Sequence, residues 1–251
     1  MDMMMPDATG WLLISFAILY LAYWLPVESA TIARWFRNRW GAHKGALGWF
    51  IWNKSHGAVL FGIVFTVVAL LVFPDIPFER YGLRLPQDGL SYLIAIGVTA
   101  LLGTISWIKN RKLAKQGASF GRYPEIALDQ WHVATIMVDS VMWMLYLLGY
   151  EMMFRGVLLG ALSSQLGLGA AVGINVALYA IVHIPKGAQE AVGALVLGYV
   201  LCMITVASGS ILTAWSAHCA LAIVNDVSAF AYRKDMHLVS SVRKSKAGGP
   251  R

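Results

Sequence analysis

Long apolar runs separated by short polar clusters dominate the chain. They fall at 11–33, 57–73, 89–107, 133–150, 168–184, 191–207 and 210–232, close to the roughly 20 helical residues that cross a bilayer. A further apolar run, 151–165, reads either as a continuation of the fourth span or as an eighth element. The pattern predicts an all-α polytopic transmembrane helical bundle of about seven spans, or eight if that run stands alone. No internal repeat of fixed period is evident, so a transporter built from tandem halves gains no support. The chain reads as one integral membrane domain, 1–251, with its chemistry-bearing core at 130–232 and a basic tail at 233–251.

Composition agrees with lipid as the solvent. The 251 residues are 58% hydrophobic and 13% charged, whereas soluble domains carry about a quarter charged residues. Trp and Tyr flank many of the spans, as in an interfacial belt. The opening "MDMMMPD" holds two acids and no base, the reverse of a signal-peptide n-region, so the first span is expected to be retained. Cys202 and Cys219 both fall in apolar runs, without the spacing of a disulfide framework or a zinc knuckle.

The net charge of +7 is carried mostly by "ARWFRNRWGAHKG" (33–45), "KNRKLAKQGASFGR" (109–122) and the tail. Seven alternating spans put all three on one side and the nearly balanced 74–88 on the other. The Lys/Arg bias then places the N-terminus outside and the C-terminus in the cytoplasm. Short juxtamembrane basic runs suit anionic lipid headgroups, so the expected partner is the bilayer and not nucleic acid.

Up to about residue 125 the spans are nearly free of ionisable groups. Beyond it, Asp139, Glu151, Arg155, His183, His218 and Asp226 fall inside apolar runs, where each costs about a few kcal/mol at mid-bilayer. In "LGYEMMFRGVLLG" (148–160), Glu151 and Arg155 are one turn apart, so the guanidinium can neutralise and orient the carboxylate. Such a pair also serves simply to let both residues exist in lipid. Gly156 and Gly160 follow, a spacing that lets another segment approach closely. His183 lies one turn after Tyr179 in "NVALYAIVHIPKG", where Pro185 blocks helix continuation. His218 sits within "SILTAWSAHCALAIVND", and Asn225, seven residues on, returns to nearly the same helix face. One glutamate and two histidines on three spans are the ingredients of a hydrolytic site: imidazoles bind a metal or position a water, and the carboxylate takes its proton.

At these residues the chain resembles the CAAX-prenyl-protease and bacteriocin-processing (CPBP, or Abi) intramembrane proteases. "YEMMFRG" matches the family's Glu-Glu-x-x-x-Arg stretch from Glu151 through Gly156, "YAIVH" its aromatic-x-x-x-His stretch, and "HCALA" its last histidine motif. Tyr150 stands where the family has its first glutamate, and Ala222 where it has Asn or Asp. The resemblance implies hydrolysis of a peptide bond in a membrane-associated, lipidated or leader-bearing polypeptide. It implies Glu151 as base, Arg155 in support, and His183 and His218 stabilising the oxyanion, with Asn225 standing in for the missing amide. Members are described both as metalloproteases and as glutamate-dependent enzymes. The cofactor is therefore a divalent metal such as zinc, held by His183, His218 and Glu151, or there is none. The expected location is a bacterial cytoplasmic membrane. Two other readings stay open: an inactive scaffold or immunity protein of the same fold, favoured by Tyr150 and Ala222, and a proton-coupled transporter using Asp139, Glu151 and the histidines.

Overall fold

The computed structural model describes residues 7–239, so most of the 233–251 tail lies outside the described residues. Helix α1 (Ala8–Val27) begins at Asp7, whose carboxylate accepts the Gly10 N–H at 2.7 Å. It stops short of the expected 11–33 because Pro26 and Glu28 close it and Ser29 caps a new helix, accepting the Ile32 N–H. That helix, α2 (Ala30–Gly57), turns at Gly41 with φ 78°, a conformation natural to glycine. It continues through a π-helical segment (Ala58–Val64) into α3 (Phe65–Val72).

The second rod is thus longer than the expected 57–73. Its polar residues are paired inside the bundle: Asn53 accepts the Tyr23 hydroxyl at 2.9 Å. Lys54 Nζ meets Glu125 at 2.8 Å and lies 3.2 Å over the Trp143 ring.

Helix α4 (Gly89–Gln116) follows, then strand β1 (Gln130–Trp131) and α5 (Val133–Glu151). A second π segment (Met152–Leu158) carries α5 into α6 (Leu159–Leu166) without a break. The run 151–165 is therefore the continuation of the fourth span. Gly167 turns the chain into α7 (Leu168–Ile181), followed by a 3₁₀ turn (Ile184–Lys186), α8 (Ala188–Ser208) and α9 (Ile211–Tyr232). A short strand, β2 (His237–Leu238), pairs in parallel with β1.

Among the described residues these elements make seven helical rods, six of them long and apolar enough to cross a membrane. The seventh, α9, is more polar because it runs inside the bundle, against α4, α5 and α8. Large apolar side chains such as Leu71, Leu93 and Val196 cover the outside, each about two-thirds exposed or more, as a lipid-facing surface requires. This is an all-α, multi-pass integral membrane protein.

The rods alternate in direction. At one face Arg122 meets Glu28 at 3.0 Å, and the His43 and His132 rings stand 6.1 Å apart. At the other, Ile211 N–H donates to the Gly82 carbonyl and Arg84 Nε to that of Gly209, both at 2.9 Å. The described parts of the three basic segments share the first face, and the 73–88 loop occupies the second.

Candidate active site

Glu151 is the last residue of α5, and the π segment opens immediately after it. Such a widened turn inserts one extra residue and recurs at functional sites. Here it lies beside a close crossing of the second and fourth rods. A Cβ on Gly149 would stand 2.7 Å from the Ala58 carbonyl oxygen, and one on Gly62 2.9 Å from the Gly149 Cα. Two glycines let the backbones touch, which anchors the turn carrying Glu151.

The Glu151 side chain has no solvent exposure. Its Oε1 lies 2.6 Å from His218 Nδ1, and its Oε2 lies 3.3 Å from Arg155 Nη1. Arg155 also donates to the Gly198 carbonyl at 3.4 Å, and its guanidinium covers the Tyr179 ring at 4.3 Å. The buried carboxylate is thus held between a cation and an imidazole N–H, which offsets part of the cost of removing its charge from water.

His183 joins the same region through the geometry of the α6–α7 hairpin. Glu151 and His183 each lie sixteen residues from Gly167, on opposite sides of it, so the two strands of the hairpin return them to similar depth. Helix α7 has 14 residues, and with the 3₁₀ turn that follows it the rod spans Leu168–Lys186. His183 follows the last turn of α7, between it and the 3₁₀ turn. Its Nδ1 donates to the Tyr179 carbonyl at 2.7 Å, and its ring packs on that of Tyr179 with centroids 4.6 Å apart.

Tyr179 is the hub of the arrangement. Its hydroxyl stands 3.5 Å from His218 Nε2, and its ring also meets that of Tyr150 at 5.9 Å. The sequence offered Tyr179 only as a motif position. The signal that marks it is its spacing one turn before His183. Carbonyl and carboxylate oxygens can only accept, so both histidines carry their proton on Nδ1 and present Nε2 as a lone pair.

The residues expected to hold a metal do not fit one. Among the described residues no group of three His, Cys, Asp or Glu has a metal-holding arrangement. The Glu151 carboxylate that would complete the set with His183 and His218 is closed by His218 Nδ1 and Arg155. Asn225 is likewise not part of the cluster. Its Oδ1 accepts Asn110 Nδ2 at 3.0 Å and faces Ser106 at 3.4 Å, in a polar seam between α4 and α9. Two turns along α9, the same helix face meets a different neighbour.

Asp139 and Asp226 form a separate group on the side of Lys54. Trp143 Nε1–H donates to Asp226 Oδ2 at 3.0 Å, as does the Glu125 backbone N–H at 3.3 Å. Asp139 precedes Glu151 by twelve residues of the same helix, about 18 Å along the axis, too far for a direct proton relay. At the two positions that depart from the motif, Tyr150 is buried with its ring 5.9 Å from that of His218, and buried Ala222 supplies only a methyl group.

Residues 129–224 match the family model described as type II CAAX prenyl endopeptidase Rce1-like. No curated protein and no solved structure matches the chain significantly. The matched segment opens just before α5, ends within α9 and contains Glu151, Arg155, Tyr179, His183 and His218. Over that segment, somewhat more than a third of its length, the chain is similar to the type II CAAX prenyl endopeptidase Rce1-like family, in agreement with the resemblance its motifs carry.

Proposed function

We propose that the protein is a CAAX-type intramembrane endopeptidase whose proton-transfer centre is the Glu151–His218 pair. The observation that carries this reading is the 2.6 Å contact between Glu151 Oε1 and His218 Nδ1, reinforced by Arg155 at 3.3 Å. Glu151 is fully enclosed, while the His218 side chain keeps 10% of its exposure. The difference favours His218 Nε2 as the lone pair that meets water, with the carboxylate orienting the ring and stabilising the imidazolium that forms. The base expected at Glu151 thus acts through His218.

Hydrolysis follows from these positions. His218 Nε2 takes a proton from water, and the resulting hydroxide attacks the scissile carbonyl carbon. The Tyr179 hydroxyl, 3.5 Å from that nitrogen, is placed to donate to the oxyanion. His218 then returns the proton to the leaving amine as the C–N bond breaks. His183 Nε2 is a second proton acceptor on the other contact of Tyr179. The substrate class is a membrane-associated, prenylated polypeptide, in keeping with the family. The test is incubation of the purified protein in lipid nanodiscs with a prenylated CAAX peptide, followed by mass spectrometry. Release of a C-terminal fragment by the wild type, absent from His218→Ala, supports the reading; an intact peptide with the wild type rejects it.

A second reading, a non-catalytic scaffold of the same fold, draws on Tyr150 and Ala222. An aromatic ring fills the place of the family's first carboxylate, and a methyl group that of its amide. In that reading Glu151, Arg155 and His218 are a buried packing cluster, and the same incubation yields no fragment.

A further inference from the structure

The 73–88 loop folds its residues 77–84 against α6 and the end of α8, enclosing a cavity of about 520 Å³ that reaches inward to Arg155. We propose that this cavity is a carboxylate subsite that holds the free C-terminus of the substrate polypeptide, with Arg80 and Arg84 as its principal ligands. The proposal rests on the proteolytic reading above and adds to it residues outside the segment that matches the family.

Its lining is rich in donors. Arg80, Tyr81, Arg84 and Arg155 supply them; the hydroxyls of Ser163 and Thr205 also line the cavity but already donate to the Leu159 and Leu201 carbonyls, and Glu79 is the one acid. Two of these groups are buried without a hydrogen-bond partner: the Tyr81 hydroxyl and Arg155 Nε. Tyr81 is fully buried and Arg155 nearly so, and an orphaned buried donor is costly unless a ligand satisfies it. Arg84 spends only Nε, on the Gly209 carbonyl, and Arg80 pairs with no carboxylate among the described residues. A planar carboxylate is the natural complement of such guanidinium forks.

The spacing suits a peptide end. The Tyr81 carbonyl oxygen lies 2.9 Å from where a Cβ on Gly156 would stand, and that of Arg80 3.1 Å from one on Gly160. The small residues of the motif therefore seat this loop on the rod. Gly156 and Gly160 are five and nine residues beyond Glu151, or about 7 to 14 Å along the helix. An extended chain covers about 3.3 Å per residue, so a carboxylate there lies roughly two to four residues from the proton-transfer centre. Arg155 links the two, touching Glu151 and lining the cavity. It lies eleven residues before the end of α6, about 16 Å below the rod tip. That depth suits a polypeptide end running on to Glu151 better than a lipid headgroup at the interface.

The experiment measures binding of a prenylated CAAX peptide, as free acid and as C-terminal amide, to the His218→Ala protein in nanodiscs. This variant leaves the Glu151–Arg155 pair intact, and a cooperative thermal melt, lowered by the lost Glu151 bond, shows that it is folded. The acid is expected to bind about tenfold tighter or more than the amide. Arg80→Gln, which removes no side-chain bond among the described residues, and Arg80→Gln/Arg84→Gln are expected to reduce that preference stepwise, and Arg80→Lys to keep part of it. Equal binding of acid and amide by the folded protein overturns the subsite, as does a preference that survives the double substitution. Arg80-dependent binding of dihexanoyl phosphatidylglycerol without acid preference marks a headgroup site and also overturns it. An Arg80-dependent acid preference in a protein whose wild type cleaves nothing leaves the subsite standing and rejects the proteolytic reading alone.

Discussion

Glu151 Oε1 and His218 Nδ1 stand 2.6 Å apart although 67 residues separate them in the chain. The contact joins the end of α5 to the second turn of α9. It fixes one imidazole tautomer, and it gives an enclosed carboxylate an N–H donor besides Arg155. A bond of this kind serves both stability and proton transfer, and substitutions that split the two are the informative ones.

Glu151→Gln is such a substitution. The amide oxygen can still accept the His218 N–H, but it cannot stabilise an imidazolium. The variant leaves the buried Arg155 without its counter-charge, so it is expected to accumulate less, and its folded fraction to cleave at least about 100-fold more slowly than the wild type. Quantitative immunoblotting and peptide turnover check this. Turnover near the wild-type rate would remove Glu151 from the mechanism.

Asn225→Ala separates the α4–α9 seam from the site. It deletes one acceptor shared by Asn110 Nδ2 and the Ser106 hydroxyl; both keep others, at Ser228 and the Asn225 and Leu221 carbonyls, so the loss is about 0.5–1.5 kcal/mol. The thermal melt in detergent is expected to fall while kcat/KM of the folded fraction stays unchanged. A large loss of kcat/KM at an unchanged melt would return Asn225 to the site.

The crossing beneath Glu151 is tested by two glycines. Gly149→Ala pushes a methyl to 2.7 Å from the Ala58 carbonyl oxygen, whereas the same change at Gly97 meets nothing within 4 Å. Gly149→Ala is expected to lower stability by about 1–3 kcal/mol and to depress cleavage by moving Glu151, with Gly97→Ala neutral on both counts. Equal melts for the two variants would mean that the rods do not cross there.

What the sequence disclosed was local in kind. Apolar runs gave the number and order of the rods, and an i,i+4 spacing gave the Glu151–Arg155 pair, because both depend on near neighbours. The Glu151–His218 contact was legible only as shared chemistry, since its partners lie on separate rods. The place of His183 beside the cluster was hidden because a hydropathy run does not say which rods meet; the symmetric spacing about Gly167 says it only once the hairpin is known. Lys54 and Asn53 masked the first half of the second rod, their partners Glu125 and Tyr23 being distant in sequence. Asn225 misled for a related reason, since face periodicity does not identify which neighbour a face meets.

Topology follows from the alternation of the rods. Reporter fusions after residues 29 and 120 are expected to report the same compartment, the cytoplasm, and a fusion after residue 80 the opposite one. Residue 50, which the shorter second span would have left at a boundary, lies inside α2 and makes no valid fusion point. Like signals from 80 and 120 would contradict the seven-rod arrangement.

Arg155 divides the catalytic from the purely structural reading most sharply. Arg155→Met alone leaves Glu151 enclosed with only the His218 N–H as partner, at a cost of about 3–5 kcal/mol, so its accumulation is expected to fall. Glu151→Gln/Arg155→Met removes both charges, and is expected to recover much of that accumulation because no buried ion remains unpaired. If the pair only secures packing, the double variant recovers function together with folding. If Glu151 sustains proton transfer through His218, the double variant folds yet stays inactive. Accumulation and peptide cleavage, measured side by side for both single variants and the double, decide between the two. A stable and active double variant would leave "YEMMFRG" as a helix-packing element and move proton transfer to His183 and Tyr179.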